Sequence, residues 1–331
     1  MHSNNRVLAL FSGGLDSVLS ILWMKKLGYE VLPVFFESFF FGAENAEEAA
    51  KAAGLELKVI DIGEELLEVL KKPRYGFGKN MNPCIDCHSL MFKTAGELLE
   101  SEGRDFLISG EVLGQRPMSQ RLDAMNAVAK MSGFRDLIVR PLSQRLLADT
   151  LPIKKGWVKK EEMLDIQGRS RQRQIELAKD FGLKEYSTPG GGCLLTDKGY
   201  SERLKDLFSY NMLEGRFIKF LRYGRHFRLS PEVKLIIGRN EQELEKIFRL
   251  VEDETVIKAA DCLGPVGVIN KSREMNPGEL HRAAELVLSY TNKAKEEDTI
   301  AYGLNNDLQG KVKVHKLSRS KIDDLLIKSN T

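Results

Sequence analysis

Phe11-Ser12-Gly13-Gly14-Leu15-Asp16-Ser17 is the stretch that decides the fold of this chain. An apolar run at 7–10 precedes it, and apolar residues at helical spacing follow it up to Gly28. This order predicts a buried strand, a glycine turn and a helix. The two glycines let the backbone approach an oxyanion closely, and the helix start offers N–H groups and the positive end of the helix dipole. With the hydroxyl groups of Ser12 and Ser17, the loop has the chemistry of a phosphate cradle.

Asp16 distinguishes this loop from the common phosphate loop. The Walker loop carries Lys before its Ser or Thr, whereas Leu15-Asp16 precedes Ser17 here. A carboxylate repels phosphate unless Mg²⁺ lies between them, so Asp16 predicts a metal–pyrophosphate site. An ordinary glycine-rich turn is the alternative interpretation. The pattern resembles the pyrophosphatase-loop (PP-loop) ATPases, which split ATP between the α and β phosphates and adenylate their substrates. The resemblance implies that ATP and Mg²⁺ are bound by Ser12, Gly13, Gly14, Leu15, Asp16 and Ser17, with Asp16 catalytic.

Composition places the chain among ordinary globular proteins. It has 331 residues, of which 42% are hydrophobic and 29% charged, and a net charge of +3. No apolar run approaches the length of a membrane span, and 7–11 is too short for the apolar core of a signal peptide. We therefore expect a cytoplasmic protein that does not associate with membranes. In that reducing compartment, four cysteines favour metal or redox chemistry over a disulfide framework.

Strands and helices alternate in the first half of the chain. Strands are predicted at 7–11, 30–36, 55–60, 105–109 and 137–140, and helices near 15–27, 43–53, 63–71, 84–102 and 119–131. This alternation predicts an α/β fold with a doubly wound parallel sheet, whose ligands bind beyond the carboxyl ends of the strands. We expect a PP-loop ATP-binding domain (adenine nucleotide alpha hydrolase-like) at 1–153 and a basic helical connector at 154–213 that completes the catalytic site. A smaller α+β RNA-binding domain is expected at 214–331.

Two cysteines follow a proline-containing loop, in Asn82-Pro83-Cys84-Ile85-Asp86-Cys87-His88. Asn82 is predicted to cap a helix with Pro83 at its first position, so that both thiols lie on one face. A helix start lowers the pKa of a thiol and favours the thiolate.

The C-x-x-C-H spelling also matches haem attachment, which we exclude because nothing indicates export. A zinc site of Cys84, Cys87, His88 and Cys193 has the correct ligand count, but His88 would lie on another helix face. An inert pair of core thiols also stays possible.

Further motifs resemble two families of tRNA-modifying enzymes. The Asn-Pro-Cys-x-x-Cys run is similar to the cysteine site of the tRNA 2-thiouridine synthases, and Ile108–Gln115 resembles the second ATP-site segment of the tRNA 4-thiouridine synthases. The resemblance implies that Phe36, Gly110, Glu111 and Gln115 also bind ATP. Thr188-Pro189-Gly190-Gly191-Gly192-Cys193 predicts a tight backbone that brings Cys193 against something bulky. Cys262 is expected to be a bystander.

The last third of the chain carries two basic blocks without acids, at 216–228 and 311–321. Such blocks indicate either a polyanion footprint or solvated faces. The segments 225–229, 237–240 and 283–295 resemble the NFACT-type RNA-binding domain, which implies RNA contact with Tyr223, His226 and Phe227 as stacking groups. Because the ATP loop begins at residue 11, we expect no RNA-binding module ahead of it. The candidate RNA-binding residues are Arg169, Arg171, Arg173, Arg222, Arg225, Arg228, Lys311 and Lys313.

These resemblances imply an ATP-dependent tRNA sulfurtransferase, with 4-thiouridine as the favoured product. ATP adenylates a uridine carbonyl oxygen, and a sulfur nucleophile then displaces AMP. Catalytic Cys84, Cys87 and Cys193 either hold a 4Fe–4S cluster, the favoured case, or carry a persulfide, as in a cluster-free 2-thiouridine synthase. Two further functions stay open: a non-catalytic RNA- or ribosome-binding factor, and an enzyme that removes sulfur from thiolated nucleobases. The expected partners are tRNA and a sulfur donor, either sulfide or a cysteine desulfurase, and a homodimer is left open.

Overall fold

The apolar run before the glycine loop forms the central strand of a five-stranded parallel sheet. This strand, β1 (Arg6–Leu10), pairs with β2 (Glu30–Glu37) on one side and with β4 (Phe106–Ser109) on the other. The outer strands are β3 (Lys58–Asp61) and β5 (Ile138–Val139), and the order is β3-β2-β1-β4-β5. The order therefore reverses between β1 and β4, which is where an open α/β sheet binds its ligand.

The computed structural model describes residues 5–183, 186, 192–305 and 307–328. The chain divides into two units, Met1–Leu194 and Leu195–Thr331. The helices of the first unit are α1 (Leu15–Lys26), α2 (Glu44–Ala52), α3 (Gly63–Lys71), α4 (Cys84–Glu97), α5 (Leu122–Ser132), α6 (Leu151–Lys154) and α7 (Gln172–Asp180).

Helices cover both faces of the parallel sheet. On one face, Val7 and Ile108 pack with apolar side chains of α1 and α2. On the other face, Leu8 and Leu107 pack with Phe92 of α4 and with α5. Because both sides of each central strand are buried, these strands are continuously apolar rather than alternating. The predicted doubly wound parallel sheet is confirmed.

Some predicted boundaries are wrong, among them the end of the helix predicted near 84–102, which stops at Glu97, and two have a local reason. Strand β3 begins at Lys58 rather than at residue 55, because Gly54 ends α2 in the left-handed conformation (φ +64°) and the Leu55 N–H donates to the Ala50 carbonyl. Helix α4, the cysteine helix because it carries Cys84 and Cys87, begins at Cys84, with Pro83 and not Asn82 in the capping position. The helix start therefore has no side-chain cap, and the Asn82 side chain donates a hydrogen bond to the Cys84 sulfur instead.

The second unit is built on a six-stranded antiparallel sheet of order β11-β10-β8-β9-β7-β6. Its strands are β6 (Arg225–Ser230), β7 (Val233–Ile237), β8 (Thr255–Ala259), β9 (Val266–Lys271), β10 (Glu297–Leu304) and β11 (Asp307–His315). Its helices are α8 (Lys198–Ser209), α9 (Gly215–Ile218), α10 (Glu241–Phe248), α11 (Pro277–Ser289) and α12 (Arg319–Leu325). Residues Ala283–Leu288 of α11 join the core on one face of the sheet, and Ile247 of α10 packs on the other. The predicted smaller α+β domain is thereby confirmed.

None of the helices in the described ranges combines the length and the apolar character needed to cross a bilayer.

Candidate active site

The Ser12–Ser17 loop approaches its surroundings so closely that only glycine fits at one position. Gly13 has φ +72°, and a Cβ atom there would lie 2.8 Å from the Cα atom of Ala46. Gly14 occupies the capping position of α1, and no side chain caps this helix start. The Ser17 hydroxyl donates to the Gly14 carbonyl at 2.7 Å and fixes the turn. The loop therefore presents backbone N–H groups and a positive dipole end to an anion.

Gly110 brings the end of β4 against this loop. A Cβ atom on Gly110 would lie 2.5 Å from the backbone nitrogen of Ser17 and 2.6 Å from the carbonyl carbon of Asp16. Any larger residue would push the strand away from the helix start. The strands on either side of the reversal thus deliver the loop and Gly110-Glu111 to one edge of the sheet, where the sequence predicts ATP-binding residues.

Two of the residues predicted to bind ATP have buried side chains. Leu15 is 1% exposed and packs with Leu19 and Val112 in a core cluster. Phe36 is 3% exposed and lies in the core on the side of α4 and α5. A direct contact between the Phe36 side chain and a nucleotide is therefore not supported, because the side chain faces the core.

Asp16 lies in a polar network that the sequence does not reveal. Its Oδ2 atom accepts a hydrogen bond from the Gln115 side chain at 2.5 Å, and the Gln115 carbonyl oxygen accepts one from Gln174 of α7 at 2.8 Å. The Asp16 Oδ1 atom is buried and has no donor among the described residues. Burial raises the pKa of Asp16, while the Gln115 hydrogen bond and the charge of Arg171 act in the opposite direction. A buried carboxylate oxygen without a donor fits a cation ligand.

Glu111 connects the ATP-loop edge with the cysteine helix. Its Oε2 atom accepts a hydrogen bond from Arg140 Nε at 2.8 Å, and its Oε1 atom lies 3.8 Å from Nδ1 of His88. Glu111 and Arg140 are both less than a tenth exposed. Burial raises the pKa of Glu111, but Arg140 and His88 outweigh it and lower the pKa to about 2. The ion pair is therefore fully formed above the ordinary carboxyl pKa and is lost only as the pH falls towards 2.

We expect Arg140→Ala to destabilise the first unit by about 3–5 kcal/mol, because it leaves the buried Glu111 carboxylate without its partner. Denaturant unfolding at neutral pH measures this change. Arg121→Ala is the matched control, because Arg121 pairs with Asp123 at the surface, where water screens the pair and its loss should change the stability little. An Arg140 variant no less stable than the Arg121 variant would contradict the buried pair.

The cysteines predicted to act together are gathered in the first unit. Cys87 is buried, and Cys84 and Cys193 both lie near enough to influence its ionisation. The Leu194 N–H donates to the Phe40 carbonyl at 3.0 Å, which fixes the Cys193 segment beside the chain that follows β2. The Thr188–Gly191 part of the glycine motif lies outside the described residues. Cys262 lies in the second unit, against its core.

The surroundings of the thiols differ from the expectation that a helix start favours thiolate. Burial, followed by the neighbouring Cys193, Cys84 and Asp86, raises the pKa of Cys87 far above its usual range. Asn82 donates a hydrogen bond from Nδ2 to the Cys84 sulfur at 3.2 Å, so it supports the thiol rather than capping the helix. Within the described ranges, no three His, Cys, Asp or Glu side chains stand close enough to hold a single metal ion, which gives no support to the zinc alternative.

Asp86 is a structural residue that the sequence pattern does not identify. It is 5% exposed, and its carboxylate accepts hydrogen bonds from the backbone N–H groups of Arg74 at 2.7 Å and Tyr75 at 3.0 Å. It therefore fixes the loop that leads into the cysteine helix. Its place between the two cysteines of the C-x-x-C run is the only local signal that could have drawn attention to it.

The candidate RNA-binding arginines of the first unit have different surroundings. Arg169 is exposed, and Arg173 forms an ion pair with Asp165 at 2.6 Å. Arg171 lies where its charge acts on Asp16. These three residues are therefore not one continuous basic surface.

In the second unit, Arg228 forms a buried ion pair with Asp206. It forms two hydrogen bonds with the Asp206 carboxylate, and its side chain is 11% exposed. Arg225 lies 5.1 Å from the ring centre of Tyr290. Arg222, Lys311 and Lys313 are exposed. Lys313 pairs with Glu297 at 2.6 Å, so Lys311 on β11 is the best placed of these residues to meet RNA.

Two of the three predicted base-stacking groups are buried, and that prediction is wrong for them. His226 is 1% exposed and Phe227 0% exposed. Phe227 belongs to the core of the second unit, and His226 Nε2 lies 2.7 Å from the Tyr223 carbonyl oxygen. Burial lowers the pKa of His226 well below its usual range, so this side chain is neutral and enclosed. Tyr223 is half-buried.

Two family models match the chain, one in each of its two units. Residues 2–145 match the family model described as Thiamine biosynthesis protein (ThiI). Residues 2–145 are therefore similar to the ThiI family. Residues 224–326 match the model of the NFACT protein RNA binding domain. The resemblances predicted for the ThiI-type domain and the NFACT-type domain are therefore confirmed.

Relatives of the ThiI-type domain include two curated proteins. A probable tRNA sulfurtransferase of Thermococcus kodakarensis is 31% identical over 153 residues, which cover 42% of this chain and 37% of that protein. A tRNA-specific 2-thiouridylase MnmA of Sulfurimonas denitrificans is 34% identical over 123 residues, covering 33% of this chain and 35% of that protein. The chain thus spans little more than a third of these relatives. The crystal structure of a 4-thiouridine synthetase–RNA complex with bound ATP aligns with a TM-score of 0.35 at 19% identity, over 54% of this chain and 51% of that one.

Proposed function

We propose that the protein is an ATP-dependent tRNA sulfurtransferase that replaces a uridine carbonyl oxygen with sulfur to give 4-thiouridine. One observation carries the proposal. Glu111 follows the glycine that packs on the ATP loop, and its carboxylate lies 3.8 Å from His88, the residue after Cys87. This contact links the edge that carries the phosphate cradle to the start of the helix that carries Cys84 and Cys87, which supports a reaction that uses ATP and sulfur within one unit.

The cradle supports the activation of the substrate. A uridine carbonyl oxygen attacks the α phosphorus of ATP, the bond to the β phosphate oxygen breaks, and pyrophosphate leaves. The backbone N–H groups at the start of α1 bind and orient the phosphates, while the hydroxyls of Ser12 and Ser17 hold the turn that presents them. The Asp16 Oδ1 atom has no hydrogen-bond donor among the described residues, so it can be a ligand of Mg²⁺. Proteins often bind Mg²⁺ through one carboxylate together with substrate phosphates.

The thiols support the second half-reaction, in which sulfur adds to the activated carbon and AMP leaves with the oxygen. A 4Fe–4S cluster would be held by Cys84, Cys87 and Cys193, and it would supply an iron without a protein ligand for sulfur delivery. Cys87 is buried with Cys84 and Cys193 near enough to influence its ionisation, so these three thiols are the residues that would hold the cluster. The Asn82 hydrogen bond to Cys84 is of the kind that tunes cluster sulfur. Sulfide or a cysteine desulfurase would supply the sulfur.

A persulfide mechanism is the competing form of the same function. It uses one thiol of the C-x-x-C pair as carrier and Cys193 as the resolving thiol, and it yields 2-thiouridine in the enzymes that the cysteine site resembles. It leaves one of the three gathered thiols without a role. We therefore favour the cluster.

Thiolation of tRNA tests the proposed function directly. Protein purified without oxygen is incubated with unmodified tRNA, ATP, Mg²⁺ and sulfide, and the nucleosides are analysed by mass spectrometry. We expect 4-thiouridine that depends on ATP. Formation of 2-thiouridine would overturn the choice of base position, and tRNA that gains no sulfur under any donor would overturn the function.

The NFACT-type domain offers a surface for tRNA on β8, β10 and β11. Ala301 of β10 is paired with Lys258 on one side and Lys311 on the other, so both lysines lie on the same face of the sheet. Thr299 and Lys313 form the next pair along that face. Residues of the intervening positions, such as Ile300, belong to the core on the opposite face. We propose that this lysine face binds phosphates of tRNA.

Replacing Lys258 and Lys311 together by Ala should weaken tRNA binding by the full chain. Each lost phosphate contact lowers the slope of log affinity against log salt by about one, so the slope should fall by about two. Titrations at several salt concentrations measure it. Lys205→Ala on α8 of the same unit should leave the slope unchanged, because Lys205 pairs with Glu202. An unchanged slope in the double variant would place the tRNA on another surface.

A further inference from the structure

Two separate chain segments run side by side next to Asp16. Leu113 and Gln167 form a parallel bridge, and the Gly168 N–H donates to the Leu113 carbonyl at 2.7 Å. Gly114 takes a left-handed φ of +77° at this point, where Gly168 is its neighbour. Beyond the bridge, one segment continues to Gln115-Arg116 and the other to Arg169-Ser170-Arg171. The fold therefore brings Arg171 and Arg116 close enough to Asp16 for their charges to act on its carboxylate.

The first turn of α7 is fixed to Asp16 by side chains rather than by backbone pairing. Gln174 is 0% exposed, and it donates to Gln115, which in turn donates to Asp16. The Gln174 Oε1 atom is buried and has no hydrogen-bond partner among the described residues. Arg171 directly precedes α7 as its capping residue, and its charge acts on Asp16. The hydrogen bonds through Gln115 therefore hold the start of α7, and Arg171 with it, near Asp16.

Arg171 carries a positive charge that forms no ion pair with any described carboxylate. Its Nε atom is buried without an acceptor, and neither Arg171 nor Arg116 lies within 4.0 Å of a described carboxylate oxygen. Arg173, two residues later, is 53% exposed and paired with Asp165 at 2.6 Å. Arginines without ion-pair partners can bind an anionic ligand. Beside a phosphate cradle, they would neutralise the negative charge of the ligand that the N–H groups of the loop do not neutralise.

We propose that Arg171, assisted by Arg116, binds the β and γ phosphates of ATP and stabilises the departing pyrophosphate. This inference rests on the proposed function, because it takes the loop to be an ATP site. It moves Arg171 from the tRNA surface, where its basic sequence context places it, to the nucleotide site. The guanidinium group would take the role that a lysine has in the Walker loop, since Asp16 stands where that lysine would be.

Nucleotide binding by the full chain tests the inference without any thiolation step. Dissociation constants for ATP and AMP are measured with Mg²⁺ by calorimetry for the wild type, Arg171→Ala, Arg171→Lys and Arg173→Ala. We expect Arg171→Ala to weaken ATP binding about 10- to 100-fold, as the loss of a charge-assisted hydrogen bond does, with AMP binding unchanged. Arg171→Lys should recover part of the ATP affinity, and Arg173→Ala should bind ATP as the wild type does.

The two nucleotides and a tRNA titration separate the outcomes. Equal losses of ATP and AMP affinity would overturn the assignment to the outer phosphates. Wild-type ATP affinity in Arg171→Ala, with or without a loss of tRNA affinity, would overturn the inference and leave the ATP site intact. A wild-type protein that binds no ATP would overturn the proposed function itself.

Discussion

Replacing Asp16 with Asn should reduce ATP turnover about 100-fold or more, because the variant loses the one carboxylate of the loop that fits Mg²⁺. The Asp16 Oδ1 atom is buried without a donor, so an amide there gains no new partner. The Gln115 hydrogen bond to the other oxygen can persist, and we therefore expect the loop to remain folded. Release of pyrophosphate and AMP in the presence of tRNA measures turnover.

The control for this variant is Asp123→Asn, in which an exposed carboxylate paired with Arg121 is removed. That change should leave turnover and tRNA affinity unaltered. Affinity for tRNA should also stay close to the wild-type value in the Asp16 variant, because the proposed tRNA surface lies in the second unit. The identity of the product is a further check. ADP in place of AMP would contradict cleavage between the α and β phosphates and would remove the PP-loop assignment.

The sequence predicts correctly those parts of the fold that depend on residues close to one another along the chain. An apolar run, Gly13-Gly14 and a helical repeat are neighbours along the chain, so their geometry is fixed within about twenty residues. Alternation of strands and helices then specifies a parallel sheet, and the strand reversal beside β1 follows from the topology. The one misplaced strand start, at Lys58, depended on a helix-ending turn at Gly54 that periodicity does not reveal.

Residues that act across long sequence distances could not be predicted in this way. Gln174 reaches Asp16 through Gln115 by two contacts that span 59 and 99 positions. Arg140 neutralises Glu111 from 29 positions away. Each looks like an ordinary polar residue in its own segment. Only the folded sheet shows that these side chains meet the loop edge.

Burial accounts for the site predictions that failed. His226 and Phe227 stand in a basic and aromatic stretch typical of an RNA contact, yet both side chains are buried. Arg228 belongs to the same stretch and is used to pair with Asp206. At Cys87, burial likewise outweighs the favourable helix start and raises the pKa of the thiol. Charge pattern shows which residues can bind an anion, and it does not show which of them remain accessible.

The largest effect is expected from the cysteines, because their loss should remove both a cofactor and the activity. Protein made and kept without oxygen should be brown and should contain about four irons and four sulfides per chain. Replacing Cys84, Cys87 or Cys193 with Ser should abolish the colour and the thiolation of tRNA, since two thiolates hold a cluster poorly. Iron and sulfide analysis, visible absorbance and nucleoside mass spectrometry provide three independent measurements.

Cys262→Ser is the matched control, because this cysteine lies in the second unit and should affect neither colour nor thiolation. The persulfide mechanism makes the opposite prediction for two of the measurements. Iron would then be dispensable, and one thiol of the Cys84–Cys87 pair could be replaced without loss of thiolation. Colourless, iron-free protein that still thiolates tRNA would rule the cluster out.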